Sequence, residues 1–148
     1  MRIVLGSDHL GRALKDHVKE HVIARGHEVV DVSQGEVVEV DYPDVALVAA
    51  TRVAEGESDA AILVCGTGIG MAIAANKVKG VRAAAVSDPY SAERARASND
   101  AQVLCLGSKI IGAELASILV DHWLDSTFQG GASGRKVDKL KALDVGAR

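Results

Sequence analysis

Residues 63–77 read LVCGTGIGMAIAANK. An apolar run ends in Cys65, glycines follow at 66, 68 and 70, and the chain then enters a segment of helical character. The run leading in, DAAILVC (59–65), is apolar throughout. That suits a strand covered on both faces, as the strands of parallel sheets are. A buried strand, a glycine turn and a helix make half of a β–α–β unit, and the rest of the chain repeats the alternation.

RIVLGS (2–7) reads as the first strand, closed by the polar pair Asp8-His9. Leu10, Leu14, Val18 and Val22 then recur every four residues, an amphipathic helix that stops at Gly26. HEVVDV (27–32) is a second strand, and Pro43-Asp44 opens a helix with Val45, Ala49 and Val53 on one face. MAIAANKV is a short helix, GVRAAAVS (80–87) a fourth strand, PYSAERARAS (89–98) a helix and AQVLCLG (101–107) a fifth strand. IGAELASILVDHWL (111–124) is a helix apolar over more than one stripe, which predicts burial against the sheet and against something else, such as a second subunit. From about residue 129 the tail QGGASGRKVDKLKALD reads as a Gly-rich hinge followed by a basic helical arm. Five strands alternating with helices predict one domain over 1–148, an α/β fold with an open, mostly parallel sheet. Ligands of such sheets bind at the carboxyl ends of strands where neighbouring crossovers diverge. If strands one and three are neighbours, Asp8-His9 and Cys65-Gly66-Thr67 face one another across that crevice.

The bulk composition narrows the function. A chain of 148 residues can bury a sizeable core, here 48% hydrophobic and only 3% aromatic, hence built of Val, Ala, Leu and Ile. A net charge of −3 gives no general attraction to nucleic acid or to an anionic membrane, so an anionic ligand must be gripped locally. The two cysteines, Cys65 and Cys105, form no CxxC and no metal-type spacing with the five histidines, which predicts reduced thiols and a cytoplasmic protein. No stretch approaches 18 apolar residues, so neither a membrane span nor a signal peptide is expected.

The glycine run has three readings. A dinucleotide fingerprint needs G-x-G-x-x-G after the first strand and an acid near the end of the next. Asp88 supplies such an acid, but the spacing here is G-x-G-x-G and follows strand three. An anion cradle fits better, because backbone N–H groups turned toward one point hold a phosphate or the oxyanion of an intermediate. A tight turn that merely needs glycine is the plain alternative. Cys65 is in the same way either a small buried hydrophobe or a thiol whose thiolate the N–H groups stabilise, with the Thr67 hydroxyl beside it. Asp8 either caps a helix or accepts from a substrate hydroxyl, with His9 donating to a phosphate. Cys105 reads as core. His17, His21, His27 and His122 read as solvated, and Arg135, Lys136, Lys139 and Lys141 as a solvated face or an anion clamp.

Taken together, GSDHLG, DYPDVA, ILVCGTGIGMAIAANKVKGVRAA and SNDAQVLCLGSKIIG resemble the type B ribose-5-phosphate isomerase family, whose relatives act on allose, galactose and tetrose phosphates. The resemblance implies a Rossmann-like three-layer α/β/α sandwich around a five-stranded parallel sheet, and a homodimer, or a tetramer, with shared active sites. It implies no metal and no organic cofactor. The implied reaction is aldose–ketose isomerisation of a small phosphorylated sugar, of the ribose 5-phosphate/ribulose 5-phosphate type, through a cis-enediolate. By position, Cys65 is the base, Thr67 assists proton transfer, and the backbone of Gly66, Thr67, Gly68, Ile69 and Gly70 stabilises the enediolate. Asp8 and Tyr42 orient hydroxyls and His9 holds phosphate. The family grips phosphate with arginines, where this chain has Lys109, Ala132 and Lys136, the last beside Arg135. In ribose-type members a histidine from the partner subunit precedes the Asn of SND and opens the furanose ring. This chain has Ser98 there and keeps Asn99, which points to the alternative of a tetrose 4-phosphate isomerase, since a tetrose phosphate has no such ring to open. A non-catalytic sugar-phosphate or nucleotide sensor using the same cradle is the reading from another class.

Overall fold

A computed structural model describes residues 1–36 and 38–144. Its elements are β1 (Arg2–Ser7), α1 (Arg12–Ala24), β2 (Glu28–Asp31), α2 (Tyr42–Ala54), β3 (Ala60–Cys65), α3 (Ile69–Ala75), β4 (Ala83–Ala85), α4 (Pro89–Ala97), β5 (Val103–Gly107), α5 (Ala113–Leu124) and α6 (Gly131–Asp144). The strands lie in the order β2-β1-β3-β5-β4, every pair parallel.

Side-chain alternation along the central strands builds two cores. Ile3, Leu5, Ile62 and Leu104 meet α1, α4 and α5 through Val18, Ala92, Leu119 and Trp123. Val4, Leu63 and Cys105 meet α2 and α3, where Ala46, Ala49, Ala50 and Met71 are fully buried. The alanines let α2 sit close on the sheet. The result is the expected three-layer α/β/α sandwich.

Register decides where the site lies. Ile3 pairs with Ala60 and Ser7 with Val64, so β1 and β3 are neighbours and end side by side. From β1 the chain crosses by α1 to the β2 edge, and from β3 it crosses by α3 on the other face toward β4. Their carboxyl ends therefore flank a topological switch point.

Several expectations need correction. Leu10 is not on the buried stripe of α1, which begins at Arg12; it is 47% exposed in the turn before the helix. β4 covers Ala83–Ala85 and not 80–87, because side chains replace its first rungs. Gln102 Oε1 accepts the Arg82 N–H (2.8 Å) and Asn76 Oδ1 accepts the Ala83 N–H (2.9 Å). The breadth of α5 is used within the chain: Ala116, Leu119, Val120 and Trp123 are buried, with α1 and α4 alongside, and Ile118 stays exposed. His17 and His21 are not simply solvated, since they meet Ser117 Oγ at 2.8 Å and Asp121 Oδ1 at 2.7 Å across the α1–α5 seam. The His27 Nδ1 lies 3.1 Å from the amino terminus, while His122 is exposed as expected. Finally, α6 starts inside the expected hinge. Gly130 and Gly131 take φ of 67° and 57°, the helix follows at once, and Val137 buries its side chain.

Candidate active site

The glycine loop is built to expose N–H groups around a sulfur. Cys65 ends β3 with only 4% of its surface exposed, and the Gly68 N–H donates to its Sγ at 3.1 Å. The Ile69 N–H donates to Thr67 Oγ1 at 3.3 Å. The N–H groups of Gly66, Thr67 and Gly70 take no protein acceptor among the described residues. Gly68 is the only one of the three loop glycines in the left-handed region, at φ 79°. Gly70 is required for another reason: a Cβ there would stand against the Tyr42 ring, which packs over it.

Neighbouring loops clamp this one. The Ser108 N–H donates to the Cys65 carbonyl (2.8 Å) and the Lys109 N–H to the Gly66 carbonyl (2.9 Å). Ser108 Oγ donates to the Leu10 carbonyl at 2.9 Å, which ties the loop after β5 to the loop after β1. Gly107 allows the crossing, since a Cβ there would run into the Thr67 backbone. Asp8 follows β1, is 6% exposed, and accepts the Gly11 N–H on Oδ1 (3.0 Å). It thus braces the turn before α1, without capping the helix itself, and also borders the cleft.

One cleft is lined by Asp8, Tyr42, Cys65, Gly66, Thr67, Ile69, Gly70 and Lys109, all expected from the sequence. Leu10 and Ile73 also line it and were not expected there. Leu10 carries the period of a helix it does not enter, and Ile73 sits on α3, 58% exposed at the cleft mouth. His9 lines an adjoining cavity with Ser7, Arg12 and Ser33. Ser98, Asn99, Arg135 and Lys136 lie elsewhere. Ser98 caps the end of α4, before the amino end of β5, whereas Cys65 pairs with Gly107 at the carboxyl end of that strand. The strand alone puts ~13 Å between the two levels. Asn99 borders a groove with Arg82, Leu140 and Asp144, and Arg135 and Lys136 are exposed on α6.

The two thiols differ in kind. Cys105 is fully buried in the core, and burial, with the Cys65 sulfur nearby, pushes its thiol far above the ordinary range. Asp88, the acid a dinucleotide site would need, instead caps α4 by accepting the Ser91 N–H at 2.8 Å. Among the described residues no group of three His, Cys, Asp or Glu side chains could hold a metal ion, and no helix is long and apolar enough to cross a membrane.

A buried thiol, a buried carboxylate and N–H groups without a protein acceptor among the described residues thus meet at a switch point of the sheet. Residues 3–140 match the family model described as Ribose/Galactose Isomerase. Ribose-5-phosphate isomerase B of Escherichia coli (strain K12) is 43% identical over 143 residues, spanning 97% of this chain and 96% of that protein. D-erythrulose-4-phosphate isomerase 2 of Mycolicibacterium smegmatis (strain ATCC 700084 / mc(2)155) is 46% identical over 148 residues, spanning 97% of each. The solved structure of ribose-5-phosphate isomerase B from Mycoplasma genitalium, with bound ribulose-5-phosphate, superposes with a TM-score of 0.94 at 38% identity, covering 99% of this chain and 97% of that one. The chain belongs to the ribose/galactose isomerase family and is a sugar-phosphate isomerase.

Proposed function

We propose that this chain interconverts the aldose and ketose forms of a short sugar phosphate through a cis-enediolate, with Cys65 as the base. The observation that supports this best is that Cys65, Asp8, Gly66, Thr67 and Gly70 line one cleft, the last three with N–H groups that take no protein acceptor among the described residues. A carbon next to a carbonyl is weakly acidic, so its proton leaves only where the enediolate oxygen is stabilised as it forms. Preorganised N–H donors do that at little reorganisation cost. Cys65 takes the proton from one carbon and returns it to the neighbour. Thr67, exposed beside it, moves protons at the substrate oxygens. Asp8 and Tyr42 orient hydroxyls, and His9 and Lys109 meet the phosphate, Lys109 as a point charge and not as a fork.

We assign Ser98, Asn99, Arg135 and Lys136 to the site of a second subunit in a cytoplasmic homodimer, because within one chain none of them lines the Cys65 cleft: Ser98 and Asn99 precede the amino end of β5, and Arg135 and Lys136 are exposed on α6. Leu10, Tyr42, Ile69 and Ile73, each at least 40% exposed around the cleft, supply apolar surface for that contact.

Ser98 favours a tetrose 4-phosphate as the preferred substrate. Its Oγ accepts from Arg94 Nε at 2.9 Å, and a serine hydroxyl does not titrate near neutral pH, so it is a poor acid for opening a furanose. The test is steady-state turnover of ribose 5-phosphate and erythrose 4-phosphate by the purified protein. Turnover of both with a higher kcat/KM for the tetrose is expected. A clear ribose preference rejects the tetrose reading, and binding without turnover of either leaves a sensor.

A further inference from the structure

Beneath the turn that carries Asp8 and His9 lies a charge cluster that the reaction as described leaves unused. Lys15 is fully buried, with its Nζ 2.6 Å from Asp31 Oδ2 and 2.8 Å from Asp16 Oδ1. Lys19 Nζ reaches the same Asp31 oxygen at 3.1 Å. Arg12 Nε joins the cluster on Asp16 Oδ2 at 3.3 Å, so three cations face two carboxylates and the whole carries one net positive charge. Buried ion pairs of this kind contribute little beyond what apolar side chains of the same size would. What the cluster does contribute is direction. The other oxygen of Asp31, Oδ1, accepts the Ser33 N–H (3.0 Å) and the Ser33 hydroxyl (3.3 Å). With its proton turned to Asp31, Ser33 Oγ offers a lone pair to the Ser7 N–H at 3.0 Å.

That last bond stands where a strand is missing. β2 ends at Asp31, opposite Leu5, while β1 runs on to Ser7. After the Val32 N–H has met the Leu5 carbonyl at 2.9 Å, the second strand turns away, and the Ser7 amide has no backbone acceptor on that side. The Ser33 hydroxyl is the substitute rung. Ser7 directly precedes Asp8, whose own N–H reaches the Val64 carbonyl only at 3.3 Å. The backbone entering the site is therefore held on the β2 side by one side chain.

We infer that Ser33, aimed by the buried Asp31–Lys15 pair, is a positioning residue for Asp8 and His9. Its effect on rate rests on the isomerase reading above, while its effect on the turn does not. Ser33→Ala removes the rung and leaves the ion cluster in place; Ser33→Thr keeps the hydroxyl. In amide hydrogen exchange followed by NMR, Ser33→Ala should speed exchange of the Ser7 N–H by ~10-fold or more, the cost of one lost hydrogen bond, and Ser33→Thr should restore it. In turnover, Ser33→Ala should lower kcat ~10-fold through a misplaced Asp8, a loss that should nearly vanish in an Asp8→Asn background, and should raise KM through a misplaced His9, a rise that background should leave in place. Unchanged Ser7 exchange overturns the proposal, and so does the same fold-loss of kcat in both backgrounds. If the unmodified protein turned over no sugar phosphate, the isomerase reading would fail and the exchange measurement would still decide the role of Ser33.

Discussion

The loop glycines at 66 and 68 look equivalent in sequence, and their replacement by alanine should separate them sharply. Gly68 stands at φ 79°, ψ −14°. An alanine held in that left-handed region costs ~1–2 kcal/mol. Its Cβ would also stand 3.0 Å from the Leu106 carbonyl carbon and 3.1 Å from its nitrogen and oxygen. These are backbone atoms of β5 and cannot rotate aside, so overpacking adds ~1–3 kcal/mol. A total of ~3 kcal/mol lowers the thermal midpoint of a chain this size by ~6–12 °C. Because the Gly68 N–H also donates to Cys65 Sγ, the displaced loop should lose ~10-fold in kcat. At Gly66 a Cβ would have its nearest neighbours at 3.5 Å (Leu10) and 3.8 Å (Lys109), ordinary contacts, and φ is not positive. Gly66→Ala should stay within ~0.5 kcal/mol of the unmodified protein. Thermal unfolding followed by circular dichroism on the two variants side by side reads the difference. Equal midpoints would refute the argument, as would a Gly68→Ala midpoint within ~2 °C of the parent.

Other outcomes follow from the same structure. Cys105→Ala should cost ~1–2 kcal/mol of stability through the cavity it opens and leave turnover intact; in the native protein iodoacetamide should modify Cys65 before Cys105. Sedimentation should show a dimer, and an active monomer would end the shared-site proposal. Ser98→His should narrow the gap between tetrose and ribose phosphates by supplying a group that titrates near neutral pH, measured as the ratio of their kcat/KM values. On acidification, stability should hold above about pH 4 and fall toward pH 2. The hydrogen bond from Arg2 brings Asp59 down to about 2; burial pulls the Asp31 carboxyl up, but Lys15, the Ser33 amide and Lys19 outweigh it and leave it low. Both folded carboxyls thus hold protons less readily than unfolded ones, so acid favours the unfolded chain. Urea unfolding at pH 7, 4 and 2 measures the loss.

Much of this was readable from residues alone, for identifiable reasons. β3 is apolar on both faces and the helices keep their periods, which dictated a parallel sheet. The switch-point rule then joined Asp8 to Cys65 although they lie 57 positions apart. What local pattern could not show is pairing at a distance. Lys15 looks like a solvated helix residue until Asp31, sixteen positions on, meets it in the interior. His17 and His21 find partners a hundred residues away on α5. The breadth of α5 looked like an interface because its flanking by both α1 and α4 is a tertiary fact. Glycine, too, hides its reasons: one is needed for backbone conformation, one for the Tyr42 ring, and Gly66 for neither.

The central claim is that Cys65 carries the proton, and solvent deuterium tests it most directly. Each protein is incubated with erythrose 4-phosphate and ribose 5-phosphate in deuterated water, and deuterium at the carbon beside the carbonyl is followed by NMR. The unmodified protein should incorporate deuterium as it turns over. Cys65→Ala, with its fold confirmed by an unchanged thermal transition and its substrate binding by calorimetry, should exchange at least ~10²-fold more slowly, the low end for loss of a general base. A folded, substrate-binding Cys65→Ala that exchanges at the parent's rate would contradict the account.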